Sequence, residues 1–466
     1  MKTFSFYLVL IFALTFSSLA RTKVVEKRFP AKPNQRIEIA DLGGSHITIK
    51  SWDKDEVYVK VKFSFSSSKD EYEESVIKSF DIISSESDSQ LIISSKRMGN
   101  ESTWSSFLGI KFRMFFYENS NLEGEIFVPR NNPFKSGFQY SSISLEEMRG
   151  AVELSGIGNT IEVKNCTVLN KIKNNYGKIK ITDCAGNLIL KSINSDIDIN
   201  GLSGSLDING DYSDIVLRGI TQNTSINSKS GKQIISDIGG DLRINSAYST
   251  MQIDRVNGFV DIRNQGGTIN VKDVDGVKVD AAYATISIKS VTGKSAKDIF
   301  IKGQSGKLVL ENVAGNLNIE SLYSPMEMRN IKGDVKIDGT SADIYGEKIT
   351  GNLNIKSNYS KVFVRELSSQ NIFIKDQSSK VELKLITVPA EIDIENDYGN
   401  VNVEMPGGYS GEINLSAEYG NIFSDLPVDI KKTSSSTTAS GKVGSGNGKI
   451  KIETKSANIT LTQKSN

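Results

Sequence analysis

The sequence predicts an all-β fold, a parallel β-helix solenoid of about 16 short coils, and three observations carry that prediction. Tyrosine recurs at Tyr140, Tyr176, Tyr212, Tyr248, Tyr283, Tyr323, Tyr359 and Tyr398, in steps close to 36 residues. Midway between successive tyrosines stands a small residue: Gly158, Asn194, Ser230, Gly266, Ser305, Ser341 or Ser378. Between these marks run paired apolar alternations, so the unit is about 18 residues, read twice per tyrosine. Hairpin barrels and sandwiches need no such fixed register. The lack of a strict hexapeptide cadence favours a right-handed helix.

Each coil follows one rule. In residues 197 to 215, Ile197 and Ile199 alternate with Asp198, Leu202 follows a bend, Gly204 turns the chain, and Leu206 and Ile208 form a second alternating pair. Asp211-Tyr212-Ser213 then leads into Ile215. Ile179, Ile181, Cys184, Gly186, Leu188 and Leu190 obey the same rule, as do Met326, Met328, Ile331, Gly333, Val335 and Ile337. Alternation sends one side chain inward and the next outward, and stacking aligns like on like in a narrow core.

In chain order, residues 1–20 read as a secretory signal peptide, with an early Lys2, an apolar run and small residues before Arg21. That run is shorter than the ~20 residues that span a bilayer. No later segment reads as transmembrane, so an exported chain is expected, periplasmic, extracellular or at the cell surface. Residues 21–130 fall outside the repeat and predict a β-rich cap with one short helix, where Tyr72, Val76, Ile77 and Phe80 have helical spacing. The coils occupy 131–430. A Ser/Thr/Gly-rich stretch at 431–448 predicts a mobile loop, and 449–466 closing strands containing Ile450, Ile452, Ile459 and Leu461.

Composition narrows function. Lys and Arg total 56 against 55 Asp and Glu, so no broad field draws nucleic acid. The single histidine, His46, receives no role, and its isolation disfavours metal and general-base chemistry. No nucleophile motif, phosphate loop or metal-ligand spacing is present, so neither catalytic residues nor a metal or other cofactor are expected. Asp196 and Asp198 share a strand face and suit Ca²⁺, but they stand among lysines, as on an ordinary solvated surface.

Two features keep alternatives open. Tyr176, Tyr212, Tyr248, Tyr283, Tyr323 and Tyr359 form either a platform for sugar rings or a protein partner, or a packing device in which each ring leans over the small residue of the next coil. Cys166 and Cys184 lie one coil apart at the same repeat position. They are either a disulfide permitted by an oxidising compartment or two buried thiols filling apolar sites.

The segment RIEIADLGGSHITIKSWDKDEVYVKVKF at 36–63 resembles the opening of a bacterial family of unknown function, provisionally called adhesins, that includes the auto-transporter adhesin head type. Its strand, Gly turn, strand ending at Trp52-Asp53 and alternating Val57–Val61 run carry the likeness, with Glu125–Arg130 and residues 444–461. Ala457-Asn458 stands where the family usually has a Gly turn. The resemblance implies an exported β-helix at a bacterial cell surface and brings no catalytic residues. The expected function is a non-enzymatic scaffold binding a surface glycan or protein. The competing class is a polysaccharide lyase or hydrolase on the same fold.

Overall fold

The computed structural model describes residues 21–40, 42, 46–96, 104–107, 110–113, 120–293 and 298–464. The signal peptide expected at 1–20 lies outside the described residues. Two compact units emerge, Met1–Gly150 and Ala151–Asn466. Among the described residues the fold is all-β with one short helix and about 15 solenoid turns of mostly parallel, stacked strands. No helix among the described residues is long and apolar enough to cross a membrane.

In the first unit, strands Arg36–Ala40 and His46–Trp52 form a coil of their own, although the pattern placed them outside the repeat. They pair in parallel with Phe134–Gln139 and Ser142–Glu146, setting Ile37 against Phe134, Ile47 against Ile143 and Ile49 against Leu145. This unit therefore runs to Gly150 rather than closing at 130. An antiparallel trio of Arg21–Pro30, Glu56–Phe65 and Ser120–Pro129 continues from it. The helix, Asp70–Ser79, carries Asp70, Glu71 and Glu73 in its first turn, where carboxylates meet the positive end of the helix dipole. Val76 and Phe80 are buried, and the rings of Phe80 and Phe63 stack at 4.1 Å.

In the second unit, strands repeat in parallel with a register step of 18. Ile179 lies against Ile197 and Ile197 against Ile215, while Ile181, Ile199 and Leu217 form the neighbouring column. All are buried, as is Ile269. Full burial of such a side chain is worth about 1.5–3 kcal/mol. The column from Ile215 continues through Gln233 to Met251, so one fully buried amide interrupts the apolar stack.

The corners hold a second ordering device that the apolar pattern does not disclose. Asn or Asp carboxamide and carboxylate oxygens accept a hydrogen bond from the backbone N–H one turn further on. Asn223 accepts from Asp241, Asp241 from Phe259, Asn316 from Asp334, and Asp334 from Asn352, at 2.8–3.1 Å. These acceptors satisfy backbone donors at bends where the sheet ladder breaks.

The C-terminal end differs from its expected layout. Residues 431–448 are not simply a loop: Ser436–Val443 is a strand, antiparallel to Gly411–Glu418 and to Asp429–Lys432. Nor do the last strands close the stack. Gly448–Lys455 and Ile459–Lys464 lie between the coil of 391–406 and the coil of 411–424. The antiparallel flap covers the outermost coil, the usual remedy for an exposed strand edge.

Candidate functional site

The tyrosine corner is the most regular surface feature of the second unit. Strand registers place Tyr176 against Asn194, Asn194 against Tyr212, and Tyr212 against Ser230. Ser230 pairs directly with Tyr248. Further along, Tyr283, Ser305, Tyr323, Ser341, Tyr359, Ser378 and Tyr398 follow in the same order. The next two members are out of chain order. Ser456 follows Tyr398, and Tyr419 follows Ser456, because the last coil is interleaved. The alternation of Tyr with a small residue thus survives in space where it fails in sequence. Tyr419 was missed by the 36-residue count for that reason.

These rings are exposed, from 54% at Tyr176 to 68% at Tyr419. Tyr140, in the first unit, is also exposed. By contrast Tyr409 is buried, its hydroxyl donates to the Glu412 carbonyl at 2.9 Å, and burial pushes its pKa up to about 12. Packing accounts for part of the corner: a Cβ on Gly266 would sit 3.2 Å from Cδ1 of Tyr248, so that ring leans over the small residue of the next turn. The other ring face is left to solvent.

Backbone stereochemistry sharpens the point. Tyr176, Tyr212, Tyr323, Tyr359 and Tyr419 have φ between 52° and 60°, in the left-handed region. That conformation costs a side-chain-bearing residue about 1–2 kcal/mol, and glycine would adopt it freely. The small residues Asn194, Ser341 and Ser456 of the intervening turns have the same left-handed φ, so the bend sets the conformation whichever residue occupies it.

Inside the corner lies a buried polar column, including Asn174, Ser192, Ser246, Asn264, Ser321, Ser357, Asp376 and Asn396. The Ser357 hydroxyl donates to Asp376 Oδ1 at 2.8 Å, and burial raises the Asp376 carboxyl above the ordinary carboxylate range. Beside Tyr283, Tyr323 and Tyr359, small members of this column open a shallow groove of about 590 Å³. A second concavity of about 450 Å³ lies at the flap, lined by Glu391, Asp393, Glu412, Lys451 and Glu453 among others. Burial, with Glu395, Glu453 and Glu391 nearby, raises the Asp393 carboxyl despite the opposing pull of Lys451.

The other sequence candidates disperse. Asp196 and Asp198 face cations, Lys178 at 3.9 Å and Arg218 at 3.3 Å. Among the described residues no group of three or more His, Cys, Asp or Glu is arranged to hold a metal ion. His46 is exposed, 3.2 Å from the Thr48 hydroxyl. Cys166 and Cys184 are both buried, and both carry free thiols in this structure. A hydrogen bond with Cys166 lowers the Cys184 thiol pKa against the effect of burial, and Cys184 also donates toward the Thr182 carbonyl.

Residues 252–462 match the profile of the Toastrack DUF4097 family. The match spans a little under half of the chain, and it lies within the coils and their interleaved end. No curated protein sequence matches. A crystal structure from Clostridium sporogenes ATCC 15579, described provisionally as a cell adhesion protein, aligns over 95% of this chain and 100% of its own, at 10% identity and a TM-score of 0.15. A superposition at that score says nothing about function. The Toastrack-like region contains Tyr283 to Tyr419 and both grooves.

Proposed function

We propose that this protein is an exported, non-enzymatic β-helix scaffold of the bacterial cell envelope, and that its tyrosine corner is a binding face for a surface glycan or protein. One observation carries the reading: exposed tyrosines hold a two-turn period in space through Tyr398, Ser456 and Tyr419, even where the chain order is broken. The Toastrack match supports an uncharacterised scaffold family. The adhesin assignment, and its narrower auto-transporter head form, rest on the sequence resemblance.

The test is a combined glycan and protein array probed with the full chain. Tyr212→Ala with Tyr248→Ala is expected to abolish most binding; unchanged binding removes the tyrosine face from the proposal. Export is tested by fractionating cells, and retention in the cytosol counts against it.

One observation favours a second reading, a carbohydrate-active enzyme. Asp393, with its raised carboxyl, lies in the flap concavity beside Glu391 and Glu453, a setting in which a general acid is held protonated. Release of reducing or unsaturated sugars from a polysaccharide panel, abolished by Asp393→Asn, would replace the scaffold reading with that one.

A further inference from the structure

The groove beside Tyr323 extends along the helix axis over six turns, about 24 Å at one strand spacing per turn. Its floor is cut by Ala281, Gly303, Ser321, Gly339 and Ser357, five small residues on successive turns of the column that also holds Asn174, Ser192, Ser246, Asn264 and Asn396. One wall is a single in-register column of outward residues: Asp280, Lys302, Glu320, Asp338, Lys356 and Lys375. Three carboxylates and three ammonium groups leave that wall without net charge. The other wall presents Gln304, Leu322, Thr340 and Asn358, just inside the tyrosine corner.

We propose that this groove takes a neutral, extended β-linked glycan lying parallel to the solenoid axis, an inference that rests on the tyrosine corner being a binding face. Charge balance argues against a polyuronate or a nucleic acid, which would need a cationic wall. Closely spaced carboxylates, ammonium groups, amides and a threonine hydroxyl suit a ligand that is donor and acceptor along its whole length, as a chain of hydroxyls is. The exposed Leu322 and the rings of Tyr323 and Tyr359 supply apolar faces for the C–H faces of sugar rings.

The period fits as well. Tyrosines recur every second turn, about 9.6 Å apart. In an extended β-1,4-linked chain the same ring face returns every second sugar, at a closely similar distance. A tyrosine on every turn would stack ring upon ring and leave no open face. The intervening Ser341 avoids that, as Gly266 does under Tyr248.

The test is isothermal titration of the full chain with β-1,4-linked hexasaccharides of glucose and of N-acetylglucosamine, against an α-1,4-galacturonate hexasaccharide. At least one neutral probe is expected to bind and the galacturonate not. Thr340→Trp, which fills the groove, and Leu322→Lys, at an exposed site that leaves the core alone, are each expected to remove binding. Tyr359→Ala is expected to weaken it about two- to tenfold, and Asp207→Ala, at an exposed position outside both the groove and the tyrosine corner, to leave hexasaccharide affinity unchanged. Absence of neutral-sugar binding, equal affinity for the galacturonate, or full binding by a natively folded Leu322→Lys protein overturns the proposal. Array binding lost in the Tyr212 and Tyr248 variants but kept in Leu322→Lys would overturn the groove alone. Array capture confined to proteins would overturn the glycan while leaving the tyrosine face in place.

Discussion

Two glycines in one turn, six residues apart, should respond oppositely to alanine. Gly333 has a φ of +145°, and a Cβ there would stand 2.3 Å from the Gly315 carbonyl oxygen and 2.6 Å from its carbon. Gly339 carries no such φ, and the nearest atom to its added Cβ is 3.6 Å away. For Gly333→Ala, backbone strain contributes about 1–3 kcal/mol and overpacking against a fixed backbone about 1–3 kcal/mol. The expected loss is therefore about 2–6 kcal/mol. Gly339→Ala should gain about 0.4–1 kcal/mol, because alanine restricts the unfolded chain. The two variants should differ by at least about 2 kcal/mol in urea unfolding followed by circular dichroism. Because solenoid turns interact chiefly with their neighbours, amide exchange at Val335 and Ile337 should rise first in Gly333→Ala. Equal stabilities within about 0.5 kcal/mol would refute the claim that these stacked glycines exist to let one turn approach the next.

Three further outcomes follow from the interior. Asp376 has its folded pKa raised by burial, so the folded state binds more protons and stability falls as pH rises from about 4 through the folded value; Asp376→Asn, which copies Asn396 one turn on, should raise the melting temperature at pH 7 and not at pH 3, and an equal gain at both would contradict the assignment. Gln233, with its side-chain oxygen buried and unpartnered between Ile215 and Met251, should be improved upon by Gln233→Leu, by about 1–2 kcal/mol in thermal or urea unfolding; a loss would mean that the amide is satisfied. Cys166 and Cys184 stand on adjacent turns with the Cys184 thiol pKa lowered, so protein recovered from an oxidising compartment should lack both thiol hydrogens in intact mass. Alkylation of both cysteines after denaturation would exclude that bond.

Much of this architecture was legible because an 18-residue register leaves a mark at every turn. Ile197 over Ile215, the helix at 70–79 and the small residues opposite each tyrosine all followed from periodicity. Residues 36–52 did not, because a single coil has no second copy in its own neighbourhood to reveal its period, and its partners Phe134 and Ile143 are nearly a hundred residues away. The Ser/Thr-rich strand Ser436–Val443 reads as a loop because only Thr437 and Ala439 face inward. The groove at Gly303 and Gly339 left a weak signal, because the same column holds small residues such as Ser192 and Ser246 elsewhere as well as Asn174, Asn264 and Asn396. The Asn and Asp corner ladder was in plain view, as Gly-Asn and Gly-Asp pairs at 18-residue spacing. Its meaning depends on a backbone N–H one turn away, which no local pattern encodes.

The interleaved ending has a consequence for how the molecule is completed. During synthesis, residues 411–424 emerge before 448–464, yet their final seat is one layer further out. Ile413 matches Ile450, which in turn matches Ile392, so the earlier segment has a compatible berth directly on Ile392 until its successor arrives. The outer coil rests on the later-made strand rather than on residues 391–406, so its definitive seat exists only once residues 448–464 have been made.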